Sequence, residues 1–325
     1  MGRSRQHKWS WLQALLLLMS GVMLTSCGAP KLPQLSLAIA DWPGYEYFYL
    51  AAHQRLDRKA GFELSVVQFS SLEDERRAYV RGDVEAIATT LPDAIAICRQ
   101  APARCPVIVL VLDQSDGADQ LIASQSVRSM ASLKGKVLGI EKSDLGEYMA
   151  IRALQKAGMV IGDVRLVYGG PRNLVDRLVA GNLDAIVSYP PHIDYLGKSQ
   201  DWQVLFSSRD IPGEIVDVLA VSPALFRDRL LVDQLIQSWW LARDYALAQP
   251  QQATTLMAKR QGVTPAQFMA FQNWINYPGR EAQAQLLAAE GPVQHTLRRL
   301  VQNSRSFKSG AVSPLLPTVS VPARP

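Results

Sequence analysis

Ala78-Tyr79-Val80-Arg81-Gly82-Asp83-Val84-Glu85-Ala86-Ile87 and, 99 residues further on, Arg177-Leu178-Val179-Ala180-Gly181-Asn182-Leu183-Asp184-Ala185-Ile186 follow one plan. In each, a helical pattern stops at a glycine, the residue that most easily adopts the left-handed conformation past a helix end, and an apolar strand follows at once. Around the first copy, residues 35–40 read as a strand, 47–59 as a helix, 62–69 as a strand, 72–81 as a helix and 84–88 as a strand. Around the second, the strands are 136–140, 164–168 and 184–187, with helices over 145–157 and 171–180. Parallel strands need crossover connections, and helices supply them. Each run therefore predicts a mainly parallel sheet flanked by helices, and the chain reads as α/β with two lobes of related topology.

The connections set the partition. Residues 108–112 read as a strand leaving the first lobe, the polar stretch 113–119 with Gly117 crosses to the second, and Pro212-Gly213 opens a return through 211–221. Helical periods at 230–247, 250–260, 264–272 and about 281–302, with Trp239, Trp240, Phe268, Phe271 and Trp274 as packing residues, predict a layer behind the first lobe. Residues 307–325 are rich in Ser, Gly, Val and Pro without a period and are expected to be a flexible tail. Lobe 1 is thus expected to comprise 35–114 and 217–306, and lobe 2 to comprise 115–216.

With 48% apolar and 19% charged residues in 325, a fibrous or disordered chain is excluded. The net charge of +5 is largely a matter of Arg3, Arg5 and Lys8; without residues 1–26 the count is 31 basic to 29 acidic residues. That balance is no polyanion-binding signature, so no nucleic-acid partner is expected. Residues 1–11 are basic and the 13 residues of 12–24 are apolar, too few to span a bilayer but suited to a secretory signal. Leu24-Thr25-Ser26-Cys27 resembles the bacterial lipoprotein processing site. Residues 1–26 are then a signal peptide, Cys27 the acylated first residue that holds the protein to a lipid bilayer, and 27–34 a tether. Gly28 lacks the Asp of an inner-membrane retention signal, which permits outer-membrane delivery. An oxidising compartment makes a disulfide between Cys98 and Cys105 plausible across a loop containing Pro102. A metal is the weaker reading, because no Cys-x-x-Cys or His-Glu-x-x-His occurs, and no cofactor is expected.

In open α/β sheets ligands bind beyond the carboxyl ends of the strands, so two lobes facing each other offer a shared cleft. Its loops are 41–46, 89–93 and 113–117 from one lobe and 141–147, 168–172 and 188–194 from the other. Trp42, stiffened by Pro43-Gly44, offers a flat wall with one N–H donor, with Tyr45 and Tyr47 beside it and Tyr189 at the matching exit of the second lobe. Each of these rings also has a bland reading as core packing. Thr89 and Thr90 precede Pro92 at a helix start, where capping alone accounts for them. Ser143 and Asp144 begin another helix; Ser143 with Gly146 suits an anion, but Asp144 acting as the cap would take the same donors. Asp41, Glu46, Asp93, Asp113, Asp116, Asp144, Glu147, Asp194, Glu214 and Asp217 fall on or near cleft loops, whereas Lys142 and Arg172 are the nearest bases. That imbalance favours a small amine or nitrogen heterocycle over a strong anion.

From Trp42-Pro43-Gly44-Tyr45 through Asp113-Gln114-Ser115-Asp116-Gly117-Ala118-Asp119, Leu133-Lys134-Gly135-Lys136-Val137-Leu138-Gly139, the helix 148–158 and Gly181-Asn182-Leu183-Asp184-Ala185, the chain resembles periplasmic solute-binding lipoproteins of bacterial ABC importers in the nitrate, sulfonate, taurine and thiamine-precursor group. The resemblance covers roughly residues 35–300. It implies a two-lobed clamshell, no enzymatic activity, and a permease with its cytoplasmic ATPase as partners of a monomeric, periplasmic receptor. By position it assigns Trp42, Thr89, Thr90, Ser115, Ser143 and Tyr189 to the cleft; Tyr45, Asp113, Asp144 and Glu214 join them on the charge and aromatic argument. Ser188-Tyr189-Pro190-Pro191 stands where relatives carry a Trp-Glu-Pro type segment, a departure at the ligand wall. The expected ligand is an amine or heterocycle such as a pyrimidine precursor, with sulfonate, taurine or nitrate as alternatives. An enzyme of the pyrimidine-precursor synthase type and a noncatalytic sensor lipoprotein are further alternatives; the clustered cysteines of such synthases are missing here.

Overall fold

The computed structural model describes residues 31–197, 201–303 and 316–320. The signal peptide over 1–26 and the acylated Cys27 lie outside the described residues. The first lobe begins with β1 (Gln34–Ala40), α1 (Glu46–His53), β2 (Glu63–Phe69), α2 (Leu72–Arg81), β3 (Ala86–Thr90), α3 (Leu91–Gln100) and β4 (Val107–Ser115). The second carries β5 (Gln120–Ser124), β6 (Val137–Ile140), α4 (Asp144–Lys156), β7 (Arg165–Tyr168), α5 (Pro171–Val179), β8 (Ala185–Ser188) and β9 (Trp202–Ser207). The chain then returns through β10 (Val216–Val221), α6 (Arg229–Ala248), α7 (Pro250–Gln261), α8 (Pro265–Gln272), β11 (Ile275–Asn276), α9 (Pro292–Asn303) and β12 (Thr318–Val319). Gly82 and Gly181, the punctuation of the repeated segment, both sit at positive φ, 84° and 74°, one turn before their strands.

The two sheets share one strand order. In the first it is β2-β1-β3-β10-β4, with β11 and β12 on the outer edge of β4; in the second it is β7-β6-β8-β5-β9. β1, β2 and β3 pair in parallel, as do β6, β7 and β8, while β10 and β5 are antiparallel to both neighbours. Apart from the two-residue edge strand β11, which is also antiparallel to β4, these are the first strands laid down after each crossing. A strand that enters a lobe from the cleft side runs away from the cleft, against strands that run toward it.

The crossings are residues 116–119 and 208–215, between the end of one sheet and the start of the other. They are stitched by Ser115 and Ser208, whose hydroxyls lie 2.8 Å apart, with the Gly117 N–H donating to Ser208 Oγ at 2.7 Å. Buried side chains of both sheets form one contiguous apolar cluster that passes through Ala118, Leu121, Ile211 and Ile215. Behind the first lobe, Trp239 of α6 is fully buried against the rings of Tyr47 and Phe48, 5.1 and 4.8 Å away. Cys98 and Cys105 are joined by a disulfide that closes the turn between α3 and β4.

Of the stretch 307–325, expected to be a flexible tail, residues 316–320 are described, and they include a strand. Thr318 and Val319 pair in parallel with Val107 and Ile108. β11 covers only the Gln114–Ser115 end of the β4 edge, which leaves backbone groups at the other end for β12.

A buried ion pair anchors the helical layer. Glu46, fully buried on α1, accepts hydrogen bonds from Arg260 and Gln261 of α7. Burial pushes its carboxyl up to about 7 despite Arg260. Arg260→Met is expected to cost about 3 kcal/mol at alkaline pH and less in mild acid, where Glu46 takes a proton, as read by urea denaturation. Equal losses at both pH values would show that the charge pairing is not what holds the layer.

Candidate ligand-binding site

Trp42 leaves β1 on the turn Pro43–Tyr45 and turns its ring to the opposite lobe, where Tyr189 meets it edge-on at 6.0 Å. Its indole N–H points back to Asp113, 3.3 Å from each carboxylate oxygen. Gly44 permits this approach, since a Cβ there would collide with both the indole nitrogen and Asp113. Tyr45 donates to Asp217, and Tyr189 donates to Glu141 at 3.0 Å.

These rings frame an interlobe cavity of about 260 Å³, open mouth included, lined by Ala40, Trp42, Tyr45, Leu72, Thr90, Asp119, Leu145, Tyr189 and Asp217. The lining residues come from strand ends and helix starts of both sheets. A larger recess of about 460 Å³ among α6, α7 and α8 shares no lining residue with it and lies away from the strand ends.

Asp217 and Asp119 stand at equivalent places, each at the head of the antiparallel strand that enters its sheet. Asp217 pairs with Thr90 on one side and Asp113 on the other, which puts two carboxylates side by side at the edge of the cleft. Burial, with Asp113 next to it, raises the Asp217 carboxyl well above the usual range. Burial also raises Asp113, and it pushes Asp119 up to about 6 and Glu141 up to about 8. Among the described residues no lysine or arginine lines the cavity. Lys142 reaches Glu73 at 3.4 Å, and Arg172 pairs with Asp176 at 3.0 Å. Nor is any group of three or more His, Cys, Asp or Glu side chains among the described residues placed to hold a metal.

Of the residues singled out from sequence, Trp42, Tyr45, Thr90 and Tyr189 line the cavity. Thr89 lies within β3 opposite Val218, and Asp113 stands behind Trp42. Ser115 serves the crossing. Glu214 holds the return crossing to α4, accepting from Arg152 at 2.8 and 3.0 Å and from Tyr148. Ser143 is the cap of α4, accepting from the Gly146 N–H at 3.0 Å. Asp144, the other candidate for that cap, reaches across the cleft to Arg76 and Arg99 at 3.2 and 2.8 Å. Its side chain points outward because Ser143 already occupies the capping position.

Sequence reading placed Asp217 only near the cleft and did not single out Asp119. Both carry a usable signal, an acid next to the first residues of an apolar strand that follows a crossing. The lobes also meet through Glu141, which accepts from the Leu72 N–H at 2.6 Å, and through Asp93, which accepts from the N–H groups of Asp144 and Leu145. His192 packs against Tyr189 with neither ring nitrogen hydrogen-bonded, and burial pushes it down to about 4.

Two helix-flanked sheets of equal strand order, joined by two crossings around an interlobe cavity, are the architecture of a periplasmic-type solute-binding protein. The chain belongs to the family described as NMT1/THI5 like, whose profile matches residues 42–253. A provisionally named binding protein of Brucella abortus is 24% identical over 234 residues, 68% of this chain and 69% of that protein. A provisionally named aliphatic sulfonates-binding protein of Escherichia coli is 23% identical over 222 residues, 67% and 69% of the two chains. Among solved structures, the alkanesulfonate-binding protein SsuA of Xanthomonas axonopodis, bound to MOPS, superposes with a TM-score of 0.73 at 17% identity, covering 89% of this chain and 98% of its own. The ligands in these names stand nearer the sulfonate alternative than the amine expectation.

Proposed function

We propose that this protein is the extracytoplasmic receptor of an ABC import system, held to a membrane through acylated Cys27, that captures a small organic cation, an amine or protonated nitrogen heterocycle. One observation carries the choice of ligand: the ionisable groups lining the cavity are Asp119 and Asp217 with Tyr45 and Tyr189, and Trp42 completes an aromatic wall. Aromatic faces and a desolvated carboxylate both attract a cation and both repel an anion. Contacts from both lobes favour the closed form, which is what a permease and its ATPase would receive.

The second reading, a sulfonate, rests on the names of the relatives. A thermal-shift panel separates the two. Choline, short alkylamines and cytosine are expected to raise the melting temperature, whereas taurine, methanesulfonate and nitrate leave it unchanged. Stabilisation by a sulfonate and by no amine or heterocycle would replace the first reading with the second.

A further inference from the structure

The cleft contains a site built for an anion, and the protein fills it with its own side chain. The first turn of α4, a helix of 13 residues, faces the other lobe. Its Asp144 and Leu145 N–H groups each lie 3.2 Å from a different oxygen of Asp93, and the Thr90 hydroxyl donates to the same carboxylate at 2.9 Å. Asp93 belongs to α3 in the opposite lobe and is fully buried. Arg76 and Arg99 stand alongside, both bound to Asp144.

Two helix-start N–H groups, a hydroxyl and nearby guanidinium groups are what a bound carboxylate or sulfonate requires. Thr90 and Leu145 also line the interlobe cavity, so this donor set borders the space a solute enters. Arg76 faces Asp93 as well as Asp144, while Glu75 and Glu141 add negative charge on the other side. Without its carboxylate the two N–H groups and the Thr90 hydroxyl, with Arg76 nearby, are left to a small anion.

We infer that Asp93 is a specificity-determining residue: it occupies the donors that an anionic solute would use, and so keeps sulfonates and carboxylates out while joining the lobes. This deepens the cation reading and rests on it.

The test compares wild type, Asp93→Ala and Asp93→Asn by thermal shift and calorimetry with formate, methanesulfonate and choline at constant ionic strength. Asp93→Ala empties the carboxylate position, and its affinity for formate or methanesulfonate is expected to rise at least about 10-fold over wild type. Asp93→Asn fills the same space with an amide and is expected to show no such gain. If Asp93→Ala folds poorly, refolding in formate restores it on this inference, and failure of formate to do so overturns it. Equal anion responses in all three proteins also overturn it. Choline binding by wild type without any anion gain in Asp93→Ala would remove the role of Asp93 and leave the cation reading standing. Tight methanesulfonate binding by wild type would remove both.

Discussion

Asp217→Asn is expected to bind a cationic solute about 30-fold or more weakly and yet to melt at a higher temperature. Asp217 and Asp113 lie directly opposite each other on adjacent antiparallel strands, both buried, with both carboxyl groups raised above their usual range. Keeping a proton between these two buried carboxyls costs the fold as the pH rises, and an amide needs no such proton. Its oxygen still accepts from Tyr45, and its nitrogen can donate to Asp113, so the hydrogen bonds survive the change. What is lost is the negative charge that Asp217 can take up against a bound cation. Truncating one partner of a desolvated charge pair costs about 2–5 kcal/mol, hence the loss of affinity. A gain of roughly 1 kcal/mol in stability corresponds to a rise of about 2–4 °C. Calorimetry with the best amine of the panel, beside a melting curve, reads both effects. Unchanged affinity would remove Asp217 as the counter-charge, and a lower melting temperature would show that the carboxylate supports the fold.

Stability is expected to fall as pH rises from about 5 to about 8, by several degrees in melting temperature at constant ionic strength. Burial pushes Asp93 and Asp119 up to about 6, Glu46 up to about 7 and Glu141 up to about 8, and it raises Glu75, Asp113 and Asp217 as well. Between the ordinary carboxylate range and these values the folded protein holds more protons than the unfolded chain. The slope of unfolding free energy with pH is then negative, and stability is lost as each group is forced to ionise. His192, pushed down to about 4, acts the other way, because the unfolded chain takes a proton below about 6.5 that the folded one refuses. Glu214 and Asp163, both lowered, also oppose the trend at the acid end. The raised carboxyl groups outnumber these three. A melting temperature that climbs from about pH 5 to about pH 8 would mean that the cleft carboxylates are not desolvated in solution.

The two predictions share a cause. The acids that make the cleft selective are the acids that cost the fold stability, a tension expected where a binding site is built from desolvated charge. Even Asp93, whose oxygens receive two N–H groups and a hydroxyl, is left raised by its burial.

Local order is legible in this chain because it depends on neighbours. Gly82 and Gly181 end their helices, Ser143 and Thr90 sit at helix starts, and Pro43-Gly44 turns Trp42 out of its strand, all through interactions within a few residues. From such pieces the two related α/β lobes, the crossings and the aromatic wall follow. Which acid faces the solute does not, because it depends on strands about 100 residues apart. Asp217 reaches the cavity because β10 runs antiparallel between β3 and β4, and Asp93 meets Asp144 only because one lobe lies against the other. Ser115, assigned to the cleft by position, and Glu214, assigned by charge, hold the crossings, where their partners Ser208, Arg152 and Tyr148 arrive from distant parts of the chain. Hydrophobic period and turn chemistry are short-range and can be read in order, whereas the pairing of buried charges is set by long-range register and desolvation.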